Sequence, residues 1–432
     1  MRNIGLLDCD KHNVCFQGMI NKFLQGGKDM ESLKELYRIG VGPSSSHTMG
    51  PRMAAERFME KHSDATRFRV TLFESLAATG KGHLTDWAVL SVLGDDKTEL
   101  IWKAEEKMPE HPNGMQFEAL DDSGAVVDTW KVYSVGGGAI REEGAAVSSA
   151  KPVYDLGTIA AIMDHCEDKG ITYWEYVEQC EGAEIWDFLR EIWKVMEESL
   201  ERGLEEEGVL PGSIGLRRQA KSYYRRTKHA GPDMQLTGIT TAYALAVSEE
   251  NAGGGIIVTA PTCGSCGIVP ATLRYLKDTQ EHIKETDLIR ALATAGLFGN
   301  VIKTNASISG AEVGCQGEVG SACAMASAAA TQLMGGTLRQ IEYAAEMGLE
   351  HHLGLTCDPV DGLVQIPCIE RNACASTRAL ARAQMSILSD GSHRIPFDEV
   401  VEVMKKTGHD LPSLYRETAE GGLAKAYNER AK

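Results

Sequence analysis

The chain has no run of 18 apolar residues, so no membrane-spanning helix is expected. Basic charge is also scarce. Lys plus Arg number 44 against 61 Asp plus Glu, a net charge of -17, which argues against nucleic acid or an anionic membrane as partner. The one basic cluster, Arg217, Arg218, Lys221, Arg225 and Arg226, reads as solvated surface. A second C-x-x-C to answer Cys263-x-x-Cys266 is missing, which makes a structural zinc site improbable. The opening residues MRNIGLLDCDKHNVCF hold too short an apolar run for a secretory signal. With eleven cysteines, this points to a reducing, cytoplasmic setting. At 432 residues, two or three domains are expected, and a 43% hydrophobic content is enough for large cores.

Three cysteines stand out. Cys315 lies in GAEVGCQGE, Cys357 in GLTCDP and Cys368 in QIPCIERN. Each has Gly or Pro within three residues, which lets the backbone leave a regular element and approach a ligand. Glu312, Glu318, Glu350, Asp358, Glu370, His351 and His352 lie nearby in sequence. A lone Cys is usually a small buried hydrophobe. Three in such settings suggest thiolates for a soft metal. The spacing is too long for zinc pairs. An iron–sulfur cluster usually takes four thiolates; three would leave one iron open as a Lewis acid.

Taken in order, residues 1–31 read as an N-terminal extension. Cys9 and Cys15 have no matching partners there. Ser32 suits the cap of a short helix into Tyr37. The loop Gly40 to Thr48 offers three serines, glycines and His47 ahead of a helix with Pro51 in its first turn, a setting suited to an anion. Residues 67–73, 99–103 and 126–135 read as strands. The spacing of His83 and Asp86 puts them on one helical face. Residues 141–152, REEGAAVSSAKP, read as a linker. Residues 153–432 read as mostly helix. Ile185, Leu189, Ile192, Met196 and Leu200 form a core stripe, and the helices around 287–304 and 317–334 are rich in small residues. The expected architecture is α+β: an α/β domain at 32–140 and a larger all-α domain at 153–432.

Several motifs follow one another: Gly42-Pro43-Ser44-Ser45-Ser46-His47-Thr48, Thr79-Gly80-Lys81-Gly82-His83, Ser134-Val135-Gly136-Gly137-Gly138, Thr259-Ala260-Pro261-Thr262, then the cysteine segments. Their series, across roughly residues 32–420, resembles the iron–sulfur L-serine dehydratases (L-serine ammonia-lyases) in single-chain form. The resemblance implies a cytoplasmic lyase of amino-acid catabolism and gluconeogenesis, most simply a homodimer. Cys315, Cys357 and Cys368 would hold a 4Fe-4S cluster whose open iron takes the β-hydroxyl of L-serine, giving pyruvate and ammonia. His47, Lys81, His83 and Glu312 are the candidate proton-transfer groups. Ser44, Ser45, Ser46, Thr48, Thr262 and Asn305 are candidate substrate contacts. The sequence departs from the family's pattern at Cys263, where Asn is expected. No Cys follows Cys374 to act as the fourth cluster ligand that some relatives carry, so greater oxygen sensitivity is expected. Competing readings are the same chemistry on L-threonine, L-cysteine or another β-substituted amino acid, a pyridoxal phosphate enzyme built on Lys303, and an amino-acid sensor stapled by a cluster.

Overall fold

The computed structural model describes residues 28–145 and 152–431. Cys9 and Cys15 lie outside them, as does most of the segment read as an extension. Its described end is built in: Met30 is fully buried and bridges Tyr154, and Glu31 pairs with Lys303 at 2.7 Å.

A five-stranded sheet of order β3-β2-β4-β5-β6 forms the N-terminal part. Its strands are β2 (Arg67–Phe73), β3 (Thr98–Lys103), β4 (Gly114–Leu120), β5 (Val126–Ser134) and β6 (Ile140–Glu142). Only β2 and β3 run parallel, joined through the helices Glu74–Thr79 and Thr85–Leu93. Alternation drives the strands. Phe68, Val70 and Leu72 point inward from β2, Met115 and Phe117 from β4, and all are buried. Phe58 of the helix Gly50–Lys61 packs on this face, 5.4 Å from Phe117 between ring centroids. Arg69, Glu99 and Glu118 pair on the other face.

The C-terminal part is a helical assembly around Ser321–Leu333. That helix, SACAMASAAATQL, is buried at all positions but Gln332. Its small side chains let four helices approach it: Ile268–Thr279, Glu285–Asn305, Leu338–Glu350 and Cys368–Ile387. The helix ends are satisfied locally. Asp398 accepts from the amides of Ile159 and Ala160 at 3.0 and 2.9 Å, which caps Ile159–Lys169.

Two short strands join the parts. β1 (Ile39–Val41) pairs antiparallel with β7 (Ile256–Val258). Beyond them the Gly42 amide donates to the Gly255 carbonyl at 3.2 Å, and the Asn251 side chain donates to the Pro43 carbonyl at 2.8 Å. A Cβ at Gly42 would sit 2.3 Å from the Asn251 carbonyl oxygen, so the approach needs glycine. This joint brings the loop after β1 to the helical part.

The structure adds β1, β4, β6 and β7 to the strands read from sequence. It also corrects the His83–Asp86 pairing. The helix begins only at Thr85, Leu84 before it has φ 57°, and His83 turns inward while the Asp86 carboxylate accepts from the Trp87 amide.

Candidate active site

Cys315 follows the short helix Gly310–Val313 and opens the wide turn Gln316–Gly320 that leads into the central helix. Cys357 lies in a loop whose backbone pairs with the C-terminal segment: its N–H donates to the Tyr415 carbonyl at 2.8 Å, and its carbonyl accepts from the Glu417 amide at 2.7 Å. Cys368 is the first residue of Cys368–Ile387, set by Pro367. The structure brings all three together. The Cys357 thiol hydrogen-bonds Cys315, and this bond, with the Arg371 guanidinium also on Cys315, holds the Cys315 thiol down to about 6 against its burial. The same bond and burial raise Cys357; burial and the charges of Cys315 and Glu318 raise Cys368.

The donor set fits a metal cluster. Three thiols on separate elements, none of them in a disulfide, lie close enough to influence one another's charge, with the Arg371 guanidinium beside Cys315. Gly310 leaves space there: a Cβ would sit 3.2 Å from Cys357 Sγ and 2.9 Å from a Glu318 carboxylate oxygen. Glu318 is half-buried beside them. Burial, then the nearby Cys315, pushes its carboxyl up to about 8, opposed by a hydrogen bond from Thr262.

Beside the cysteines lies a buried histidine pair. The Ser44 hydroxyl accepts from the His47 amide at 3.0 Å, which turns the chain into the helix that follows. His47 is fully buried, with Nδ1 2.9 Å from Ser46 Oγ and Nε2 3.2 Å from Ser75 Oγ. Its ring lies 4.5 Å from that of His83. Glu417 Oε1 is 3.5 Å from His47 Nδ1, while its other oxygen is buried without a partner. Burial, then the nearby His111, drives His47 down to about 4 despite a hydrogen bond to the Ser75 backbone. Burial, then His47, lowers His83 further. Buried polar atoms without partners recur nearby, at His111 Nε2, the Asn113 side chain and Ser309 Oγ.

The other candidates divide. Ser44, Ser45, Ser46 and Thr48 are all buried in the loop. Thr48 is engaged structurally, donating to the His83 carbonyl at 2.6 Å and accepting from the Ser44 amide. Thr262 reaches Glu318. Glu312 is on the rim, 3.9 Å from His111. Lys81 is exposed, over the Trp102 ring. Asn305 closes the helix Glu285–Asn305 by donating to the Gly157 and Val301 carbonyls, away from the thiols. Lys303, the lysine a pyridoxal enzyme would need, is tied to Glu31 and the Glu35 carbonyl. Cys263 packs 3.5 Å from the Met49 sulfur, and Cys374 is exposed on its helix. Residues not singled out from sequence are Ser75, His111, Asn113, Ser309, Arg371 and Glu417. Only Arg371, next to the Cys368 motif, carried a local signal.

Comparison with known proteins gives the family. A family model described as serine dehydratase alpha chain matches residues 87–424, and one described as serine dehydratase beta chain matches residues 32–99. An L-serine dehydratase of Streptomyces coelicolor is 42% identical, aligned over 91% of this chain and 98% of the relative. L-serine dehydratase 1 of Escherichia coli is 38% identical over 91% and 99%, and that of Helicobacter pylori 35% over 91% and 98%. The three cysteines, the serine–histidine loop and these matches lead to one assignment: the chain belongs to the serine dehydratase family, with alpha-chain and beta-chain regions joined in one polypeptide.

Proposed function

We propose that the chain is an L-serine ammonia-lyase that converts L-serine to pyruvate and ammonia at a 4Fe-4S cluster bound through Cys315, Cys357 and Cys368. The observation that carries this reading is the Glu417 segment, which bonds the Cys357 backbone at 2.7 Å and sets its carboxylate 3.5 Å from His47 Nδ1, so that a thiol loop and the Ser44–Thr48 loop share one neighbour. The names of the relatives support the substrate. When bound, the cluster supplies an open iron that eases departure of the β-hydroxyl.

The chain's own residues do the rest. Ser44, Ser45 and Ser46 offer hydroxyls to the substrate carboxylate. His47 is the best placed of the candidate bases: it is buried, neutral and beside the cysteines, whereas Lys81 is exposed and Glu312 stands at the rim. His83 packs on its ring, Thr262 orients Glu318, and burial of all these groups keeps bulk water from the reacting carbon. We read residues 32–140 and 153–432 as two units, one bringing the serine–histidine loop and the other the thiols. A cytosolic homodimer is the form we expect. Reduced thiols favour that compartment, and the exposed apolar residues Met385, Leu388 and Ile395 offer a subunit contact; sedimentation tests the dimer.

The functional test uses anaerobically purified protein, with iron, sulfide and pyruvate from L-serine measured on one sample. About four irons per chain, the content of a 4Fe-4S cluster, together with pyruvate formation would support the reading. A full cluster with no pyruvate would remove serine as substrate. Activity that tracked added pyridoxal phosphate without iron would remove the mechanism.

A further inference from the structure

Two hydroxyls on one short helix determine where the protons of the histidine pair sit. Ser75 and Thr79 are four residues apart on Glu74–Thr79, so they share a face. Each hydroxyl has one hydrogen to give. Ser75 gives its hydrogen to the Glu417 carbonyl at 2.8 Å, an atom that can only accept. Its oxygen, 3.2 Å from His47 Nε2, must therefore accept, and Nε2 carries the ring hydrogen. Thr79 gives its hydrogen to the Ser75 carbonyl at 3.0 Å, so it accepts from His83 Nδ1 at 3.0 Å. The lone pairs are left on His47 Nδ1 and His83 Nε2. His47 Nδ1 is the nitrogen that faces Ser46 Oγ at 2.9 Å and Glu417 Oε1 at 3.5 Å. One end of the Ser75–Glu417 bond, Glu417, and the residue before the other, Glu74, sit on backbone that side chains rarely adopt, with φ 59° and 38°. Such conformations persist where the surroundings impose them, and they gather at working sites.

We propose that Ser75 is a positioning residue that holds His47 as its Nε2–H tautomer, so that Nδ1 takes the α-proton of the substrate. In this step the Cα–H bond breaks and an Nδ1–H bond forms. The C–H electron pair becomes the Cα=Cβ bond as the Cβ–O pair leaves with oxygen, which takes the proton back from Nδ1 and departs as water, restoring the neutral ring. The enamine tautomerises to an imine, and one water hydrolyses it to pyruvate and ammonia, with no net oxidation. The inference rests on the serine dehydratase reading above and adds the base, its tautomer and the group that sets it. His83, His111 and Glu417 are the titratable groups that face His47.

The tautomer is measurable without turnover. In holoenzyme carrying ¹⁵N-histidine, His47 Nε2 is expected at the shift of a protonated ring nitrogen and Nδ1 at that of an unprotonated one; the reverse assignment overturns the proposal. Ser75→Ala is expected to lower kcat roughly 100-fold, the scale of a general-base contribution. KM and the iron and sulfide content should change little, and the isotope effect on α-deuterated serine should rise as proton removal becomes limiting. Ser75→Thr, which keeps the acceptor, should recover most of the rate. Parental kcat and isotope effect in Ser75→Ala would overturn the inference. So would one tightly held zinc ion that is lost in His47→Gln, because the lone pairs would then serve a metal. Wild-type holoenzyme that makes no pyruvate from serine would defeat the functional reading instead, and the ¹⁵N result would still report on the tautomer.

Discussion

Cys357 shows how a ligand residue can be removed without removing its loop. Its two backbone bonds, to Tyr415 and Glu417, need no side chain. Cys357→Ala should therefore lose nearly all bound iron, while the metal-free forms of variant and parent unfold at similar temperatures in calorimetry. His47 gives a test in pH. Its folded value lies near 4, below the ordinary 6.5, because burial disfavours the charged ring. The neutral ring thus contributes stability that is present above about 6.5 and is lost as pH falls toward 4. It also remains a competent base throughout that range. The kcat/KM profile should show no bend near 6.5; one there, in the free enzyme, would mean the ring titrates normally. The chemical types at this scale were legible: the thiols, the serines and His47 announced themselves by local pattern. Glu417 and Ser75 did not. They become informative only through a contact spanning 342 positions in sequence, and nothing in GluThrAla or GluSerLeu marks it.

Strands and helices were readable where burial follows the element's own period, as in β2 and the stripe on Ile185–Glu205. β4 is a counterexample. Met115, Phe117 and Ala119 alternate inward, but Ala is a weak strand former and Gly114 precedes them. Pairing with β2 and β5 on both sides decides it. The His83–Asp86 spacing fails for a related reason: it counts a helix through Leu84, whose left-handed backbone delays the helix to Thr85. Helix ends give a stability test. Asp398 caps Ile159–Lys169 from a distant helix and is half-buried, and burial lifts its carboxyl to about 6 against the two amide bonds. Asp398→Ala leaves both amides without an acceptor. It should cost about 1–3 kcal/mol in denaturant unfolding, the scale of buried donors left unsatisfied, with the midpoint shifted and the slope kept.

At the scale of the molecule, the residues of the proposed site come from two differently built parts. The sheet part supplies Ser44 to His83, the helical part supplies Cys315 to Glu417, and β1 with β7 holds the seam. Sequence separated an α/β portion from a helical one, but it could not supply the seam: three residues of β1 meet three of β7 more than 200 positions later. Gly42→Ala tests the joint. Its Cβ would press on the Asn251 carbonyl, so the loop must shift while both cores stay intact. Far-ultraviolet circular dichroism and iron content should be preserved, with kcat/KM for serine down by at least about tenfold, since small misplacements of reacting groups cost that much or more.

The left-handed backbone at Glu417 has an evolutionary consequence. Glycine would adopt that geometry without strain, so a screen for heat resistance alone would favour Glu417→Gly. The same exchange would strip the carboxylate from beside His47. Laboratory selection for robustness and selection for turnover should therefore pull this codon in opposite directions, and a thermostabilised line that drifted to glycine there would have traded its catalyst for a better scaffold.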